Sequence, residues 1–171
     1  MQPRPVPRGR RAIRVLPRFE EWAVHGQHPV EAVDERLQLV NRNSENKISV
    51  VDDDESVRDS TRTLLRSAGY EVATFPSAEM FLDSGALAET GCIVLDVRMP
   101  GMGGLELQRR LSGSQSGVPI VFLTAHDDAR SRQIAIEGGA VDFLSKPFDA
   151  SALISAVQAA LARRAGNRLG H

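Results

Sequence analysis

The sequence predicts an α/β fold, a doubly wound five-stranded parallel sheet flanked by five helices. Three observations carry that expectation. Short runs dense in Val, Ile, Leu and Phe recur at residues 48–52, 70–75, 92–96, 119–123 and 141–144. Most are apolar throughout, the pattern of strands covered on both faces. Segments with helical spacing separate them, which makes five βα units in about 115 residues, and right-handed crossovers then leave few topologies.

The elements follow in order. Ile48, Val50 and Val51 lead into Asp52 as the first strand. A helix comes next, with Val57, Leu64 and Leu65 on one side, Asp54 as a cap and Gly69 as the stop. Residues 70–75 alternate and are rich in strand formers. Pro76 and Ser77 open a short helix, with Ser77 as its N-cap and Met80 and Phe81 on its inner face. Residues 92–96 form a buried strand ending in Asp96. Pro100 and three glycines make a plain loop, since no phosphate-cradling glycine motif is present. Leu105, Leu107 and Leu111 mark the third helix. Residues 119–123 are a buried strand ending at Thr124. Asp127 caps a helix containing Ile134 and Ile136, which stops at Gly138 and Gly139. Residues 141–144 are the last strand, before Lys146 and Pro147, and residues 151–164 form an alanine-rich amphipathic helix.

The first 46 residues read differently. Residues 1–19 hold six arginines, four prolines and no acid, so this stretch is expected to be disordered. It lacks the apolar core of a secretory signal. Residues 20–40 are expected to form a short amphipathic helix holding Trp22 as a local contact, and residues 41–46 a polar linker. The whole of 1–46 is a disordered or partly helical Arg/Pro-rich leader. Residues 47–162 form the folded domain, with 163–171 a short tail.

Composition excludes several classes of function. No run approaches the ~18 apolar residues of a membrane span, so a cytoplasmic protein with no membrane partner is expected. Cys92 is the sole cysteine, which rules out an internal disulfide and a multi-thiolate zinc site. Its place at a strand start makes it core. The net charge of −1 conceals an asymmetry: residues 48–161 hold nine basic and sixteen acidic side chains, a balance of −7. Such a domain repels a phosphate backbone and is not expected to bind nucleic acid by itself.

The placement of polar residues is the functional signal. Asp52 and Asp53 end the first strand, Asp96 the third and Thr124 the fourth, and Lys146 follows the fifth. Open α/β sheets bind ligands beyond the carboxyl ends of their strands. Clustered carboxylates repel unless a cation sits among them, and hard oxygen ligands on a shallow site suit Mg²⁺. Lys146 and Thr124 supply a charge and a hydroxyl for a phosphoryl group. Asp96 lies centrally and is assigned as the nucleophile that becomes an acyl phosphate. His126, two residues past Thr124, is a lesser candidate.

Residues 47–162 resemble the receiver domain of two-component response regulators, the CheY-like family. The resemblance rests on the strings at 50–58 (VVDDDESVR), 94–104 (VLDVRMPGMGG), 122–126 (FLTAH) and 140–148 (AVDFLSKPF). It is nearest to receivers of nitrogen-fixation and nitrate-response regulators. It implies a flavodoxin-like sheet in the order 2-1-3-4-5 and phosphorylation of Asp96 by a sensor histidine kinase. It further implies Mg²⁺ held by Asp53, Asp96 and the backbone carbonyl of Arg98, with Asp52 completing the pocket. Thr124 and Lys146 would contact the phosphoryl group. Thr124 and Phe143 would form a switch acting on the face of the fourth helix, fifth strand and fifth helix. Such a chain is a phosphoacceptor signalling domain, not an enzyme, beyond self-catalysed phosphorylation and dephosphorylation. Members of this group usually continue into a DNA-binding output domain, and the chain ends too soon after residue 161 to hold one. The expectation is therefore a single-domain receiver that signals by protein contact to an unidentified downstream partner or acts as a phosphate shuttle, with a homodimer formed on phosphorylation as a further candidate assembly. The alternative is a DNA-associated transcriptional regulator acting through the basic leader or a separate output partner. A haloacid dehalogenase-type hydrolase is disfavoured, because its second acid would fall on Arg98, which cannot donate its proton.

Overall fold

The computed structural model describes residues 46–114, 116–126 and 129–169. The disorder expected over 1–19, the helix over 20–40, nearly all of the linker and the Asp127 cap lie outside the described residues. The elements are β1 (Lys47–Val51), α1 (Glu55–Ser67), β2 (Glu71–Phe75), α2 (Ala78–Asp83), a 3-10 turn (Ala86–Glu89), β3 (Cys92–Asp96), α3 (Gly104–Ser112), β4 (Ile120–Thr124), α4 (Ala129–Glu137), β5 (Asp142–Ser145) and α5 (Ala150–Leu169). The strands pair in parallel in the order β2-β1-β3-β4-β5, as the resemblance implied.

Strand geometry sends successive side chains to opposite faces, and each face has its own core. Ile93 and Leu95 of β3 pack with Phe81 of α2, Leu107 of α3, Ala135 of α4, and with Phe122 and Phe143. Cys92 and Val94 of the same strand pack with Leu65 of α1 and with Leu153 and Val157 of α5. Helices α2, α3 and α4 thus cover one face, and α1 and α5 the other. Each fully buried Leu, Ile or Phe contributes about 1.5–3 kcal/mol.

Local chemistry sets the ends of the elements. Asp54 caps α1, accepting from Ser56 N–H at 2.8 Å and Val57 N–H at 3.2 Å. Ser77 caps α2 through Met80 N–H at 3.2 Å. Gly104 begins α3 against the backbone of β3. A Cβ there would lie 2.1 Å from the Asp96 carbonyl oxygen, so only glycine fits this approach.

At the amino end of the sheet the polar groups pair with one another. The Ser49 and Thr90 hydroxyls lie 2.7 Å apart, and Thr90 also donates to the Ala86 carbonyl at 2.7 Å. The Arg164 guanidinium donates to the Thr90 carbonyl. Lys47 pairs with Glu89 at 2.5 Å.

Four details depart from the sequence reading. Met80 does not face inward but is 55% exposed, because Ala78 and Phe81, three residues apart, take the inner stripe of so short a helix. The 3-10 turn at Ala86–Glu89 was not foreseen. β5 begins at Asp142 and reaches Ser145. α5 continues to Leu169, five residues past the expected end, so most of the expected short tail is helical. The alanine-rich run through Arg163, Arg164 and Ala165 favours continuation, and the helix passes through Gly166 to Leu169.

Candidate functional site

The parallel register sets the strand ends side by side. Val51 stands opposite Leu95 on one side and Phe75 on the other, and Thr124 opposite Ser145. Asp52 N–H donates to the Phe75 carbonyl and Val97 N–H to the Leu123 carbonyl, each at 3.2 Å. Asp52 and Asp96 therefore leave adjacent strands at one rim. Lys146 N–H donates to the Thr124 carbonyl at 2.7 Å, which draws the residue after β5 to the same rim.

Asp52, Asp53 and Asp96 each place one carboxylate oxygen within 4.8 Å of the others. Asp52 and Asp96 are buried and Asp53 is exposed. The Lys146 ammonium bridges the buried pair, 2.6 Å from Asp52 Oδ2 and 3.2 Å from Asp96 Oδ1. The second oxygen of Asp52 accepts from Asp54 N–H at 2.9 Å. The Arg58 guanidinium donates to the Asp52 and Asp53 carbonyls at 2.7 and 2.9 Å, pinning the backbone that carries the acids.

One ammonium does not balance three carboxylates. Burial pushes the Asp96 carboxyl above its ordinary range; Lys146 works against that shift, while the charges of Asp52 and Asp53 add to it. Burial works the other way on Lys146, yet its hydrogen bond to Asp52 and the charge of Asp96 hold the ammonium above the usual lysine range. Three oxygen donors, two buried and one open to water, suit a small hard cation that keeps part of its hydration. Asp52, Asp53 and Asp96 thus fit Mg²⁺ by the chemistry of the donor set.

The remaining expected residues make other contacts. The Thr124 hydroxyl is buried and turned toward its own loop, donating to the His126 carbonyl at 2.9 Å and accepting from His126 N–H at 3.1 Å. His126 thus meets the site residue through its backbone. Arg98 is exposed, two residues past Asp96. Phe143 lies in the core of the α2–α4 face and not in the acidic cluster, its ring 6.0 Å from that of Phe122 and 4.9 Å from the Arg132 guanidinium. The peptide bond between Lys146 and Pro147 is cis. Cys92 is fully buried, and burial pushes its thiol up to about 12, with the Arg164 charge opposing.

Sequence reasoning missed two residues around the site. Arg58 and Glu79 both act on backbone groups, Glu79 by accepting from Met102 N–H at 2.7 Å. A backbone partner has no residue identity, so no motif signals the contact.

The sequence profile of the response regulator receiver domain matches residues 48–158. The chain belongs to this family. The transcriptional regulatory protein FixJ of Azorhizobium caulinodans is 46% identical to this receiver over 118 residues, which covers 69% of the chain and 56% of FixJ. The response regulator StyR is 49% identical and superposes with a TM-score of 0.67, over 72% of this chain and 62% of StyR. A BeF3-activated receiver domain of DrrB is 31% identical with a TM-score of 0.62, over 68% of this chain and 97% of that one. The chain spans about half the length of the curated relatives it matches. Receiver domains are phosphoacceptor signalling domains of two-component systems, not enzymes in the ordinary sense, and this chain has that role. Among the described residues, no helix is long and apolar enough to cross a membrane. The alternative that assigns DNA association to the basic leader rests on residues outside the described ones.

Proposed function

We propose that Asp96 is the phosphoacceptor, that its donor is the phosphohistidine of a sensor histidine kinase, and that residues 47–162 form the responding unit. The observation that carries this reading is the Lys146 ammonium bridging Asp52 and Asp96, with Asp53 beside them at the same rim. A carboxylate oxygen of Asp96 attacks phosphorus as the bond to the kinase imidazole nitrogen breaks, leaving an acyl phosphate on Asp96 and a free imidazole on the kinase. Asp52, Asp53, Asp96 and the Arg98 backbone carbonyl would hold Mg²⁺. Bound there, the ion offsets carboxylate charge and leaves coordination positions for phosphoryl oxygens.

The chain's own residues do the rest. Lys146 exchanges its Asp96 contact for a phosphoryl oxygen as a point charge. Thr124 turns its hydroxyl away from the His126 carbonyl to the same group. Phe143 follows into the space released, reshaping the face of α4, β5 and α5. The output is contact with a downstream protein or a second copy of the chain, in the cytoplasm, with neither membrane nor nucleic acid engaged by the receiver itself. The BeF3-activated form of the DrrB receiver supports this reading. A crystal soaked with Mg²⁺ and beryllofluoride tests it directly. Both should appear at Asp96, with Thr124 redirected, and an empty rim would overturn the assignment.

A further inference from the structure

One carboxylate, bound to the loop that follows Asp96, makes a contact that the phosphoryl chemistry leaves unused. Glu79, in the first turn of α2, accepts the Met102 N–H at 2.7 Å. Its own backbone N–H and that of Met102 hold the carboxyl below the usual glutamate range, so it is ionised at neutral pH. Met102 belongs to the loop of residues 97–103, which starts immediately after Asp96 and carries Arg98. Gly101 in this loop has φ +75°, and a Cβ there would meet Glu79 Oε1 at 2.7 Å. The loop is shaped to admit that carboxylate.

Backbone hydrogen bonds also hold the loop at its two ends. Val97 N–H donates to the Leu123 carbonyl at 3.2 Å, and Gly104 N–H closes back on the Val97 carbonyl at 3.0 Å. Met99 and Met102 sink their side chains into the core. Glu79 supplies a charge-assisted bond to the backbone between those ends.

We propose that Glu79 is a positioning residue for the magnesium site, holding the Met102 N–H so that the loop presents the Arg98 carbonyl beside Asp96. This inference rests on the metal reading given above. A backbone ligand on a loop must be ordered when the ion binds, and a loop already clamped has less order left to lose. Groups that orient metal ligands govern affinity strongly, although they never touch the ion.

Titration calorimetry of Mg²⁺ into the purified chain tests this, alongside labelling by acetyl phosphate across Mg²⁺ concentrations. Glu79→Ala should weaken Mg²⁺ binding about tenfold, the lower end of what partners of metal ligands control. Its labelling deficit should be recovered at high Mg²⁺, which a general loss of structure would not allow. Glu79→Gln keeps an amide oxygen that can accept the same N–H, and should bind Mg²⁺ within about twofold of wild type. Gly101→Ala pushes on the same carboxylate from the loop side and should weaken Mg²⁺ as Glu79→Ala does. Equal affinities for wild type and Glu79→Ala would overturn the inference, as would a Glu79→Gln as weak as Glu79→Ala. Absence of Mg²⁺ binding by wild type would instead overturn the metal reading itself.

Discussion

The two ends of one sheet solve opposite problems. At the amino end, Ser49, Thr90, Arg164 and Lys47 each meet a partner of matching chemistry. At the carboxyl end, three carboxylates cluster with one ammonium that bridges two of them, and burial pushes Asp96 above its ordinary range. The same strands run through both ends, so the contrast does not come from the fold. It comes from which side chains stand at the strand termini. One end is satisfied and holds the sheet together. The other keeps unbalanced negative charge, which a cation and a phosphoryl group can relieve.

The largest test of that contrast is loss of labelling. Asp96→Asn should reduce acetyl phosphate labelling to background, whereas Thr90→Val should be labelled at the wild-type rate. Labelling of Asp96→Asn at an undiminished rate would erase the distinction between the two ends. Next comes stability. Thr90→Val leaves the buried Ser49 hydroxyl without its partner and should lower unfolding free energy by about 1–3 kcal/mol in urea titration. A neutral result would mean that the amino end contributes nothing to holding the sheet.

A smaller effect of opposite sign is expected at the other end. Asp53→Asn removes one of the clustered charges and should raise stability without Mg²⁺ by about 0.5 kcal/mol, since Asp53 is exposed and screened. The same variant should bind Mg²⁺ more weakly by calorimetry. A loss of stability in metal-free buffer would show that the acids are not in tension.

The smallest signal is in pH. The folded Asp96 carboxyl sits above its ordinary 3.8, so between those two values the native chain holds more protons than the unfolded one. Stability of the metal-free wild type relative to Asp96→Asn should therefore rise as pH falls through that window and level off below it. Lys146 contributes in the other sense. Its stabilisation is present below 10.5 and is lost as pH rises through its higher folded value. Urea midpoints taken across pH for both proteins check the first of these, and a fall in wild-type stability relative to Asp96→Asn on acidification would reverse the sign assigned to Asp96.

Much of this was legible in the sequence, for identifiable reasons. The strands could be read because parallel strands covered on both faces need unbroken apolar runs, as at Ile93, Val94 and Leu95. Asp54 and Ser77 could be read because caps use a short list of side chains at fixed offsets. The site was legible because Asp52, Asp53, Asp96, Thr124 and Lys146 end or follow strands, and parallel strands align their ends. The order of the strands was not in the periodicity and came only with the resemblance. Met80 was misread because a six-residue helix has room for little more than one inward stripe, and periodicity alone did not say which residues take it. Arg58 and Glu79 were missed because a carbonyl or an N–H is the same at every residue. The Thr124 hydroxyl pointing at His126 is a rotamer choice made in three dimensions.

Cys92 has a practical consequence. It is the sole thiol of the chain, fully enclosed, and its proton is held up to about 12. Alkylating dyes react with thiolates at the surface, so the native protein should ignore them. A cysteine placed at Ile136, which is 49% exposed on α4, would then carry the only label, with no need to strip the parent chain first. Fluorescence at that single point could follow the proposed signalling face in real time as phosphodonor is added.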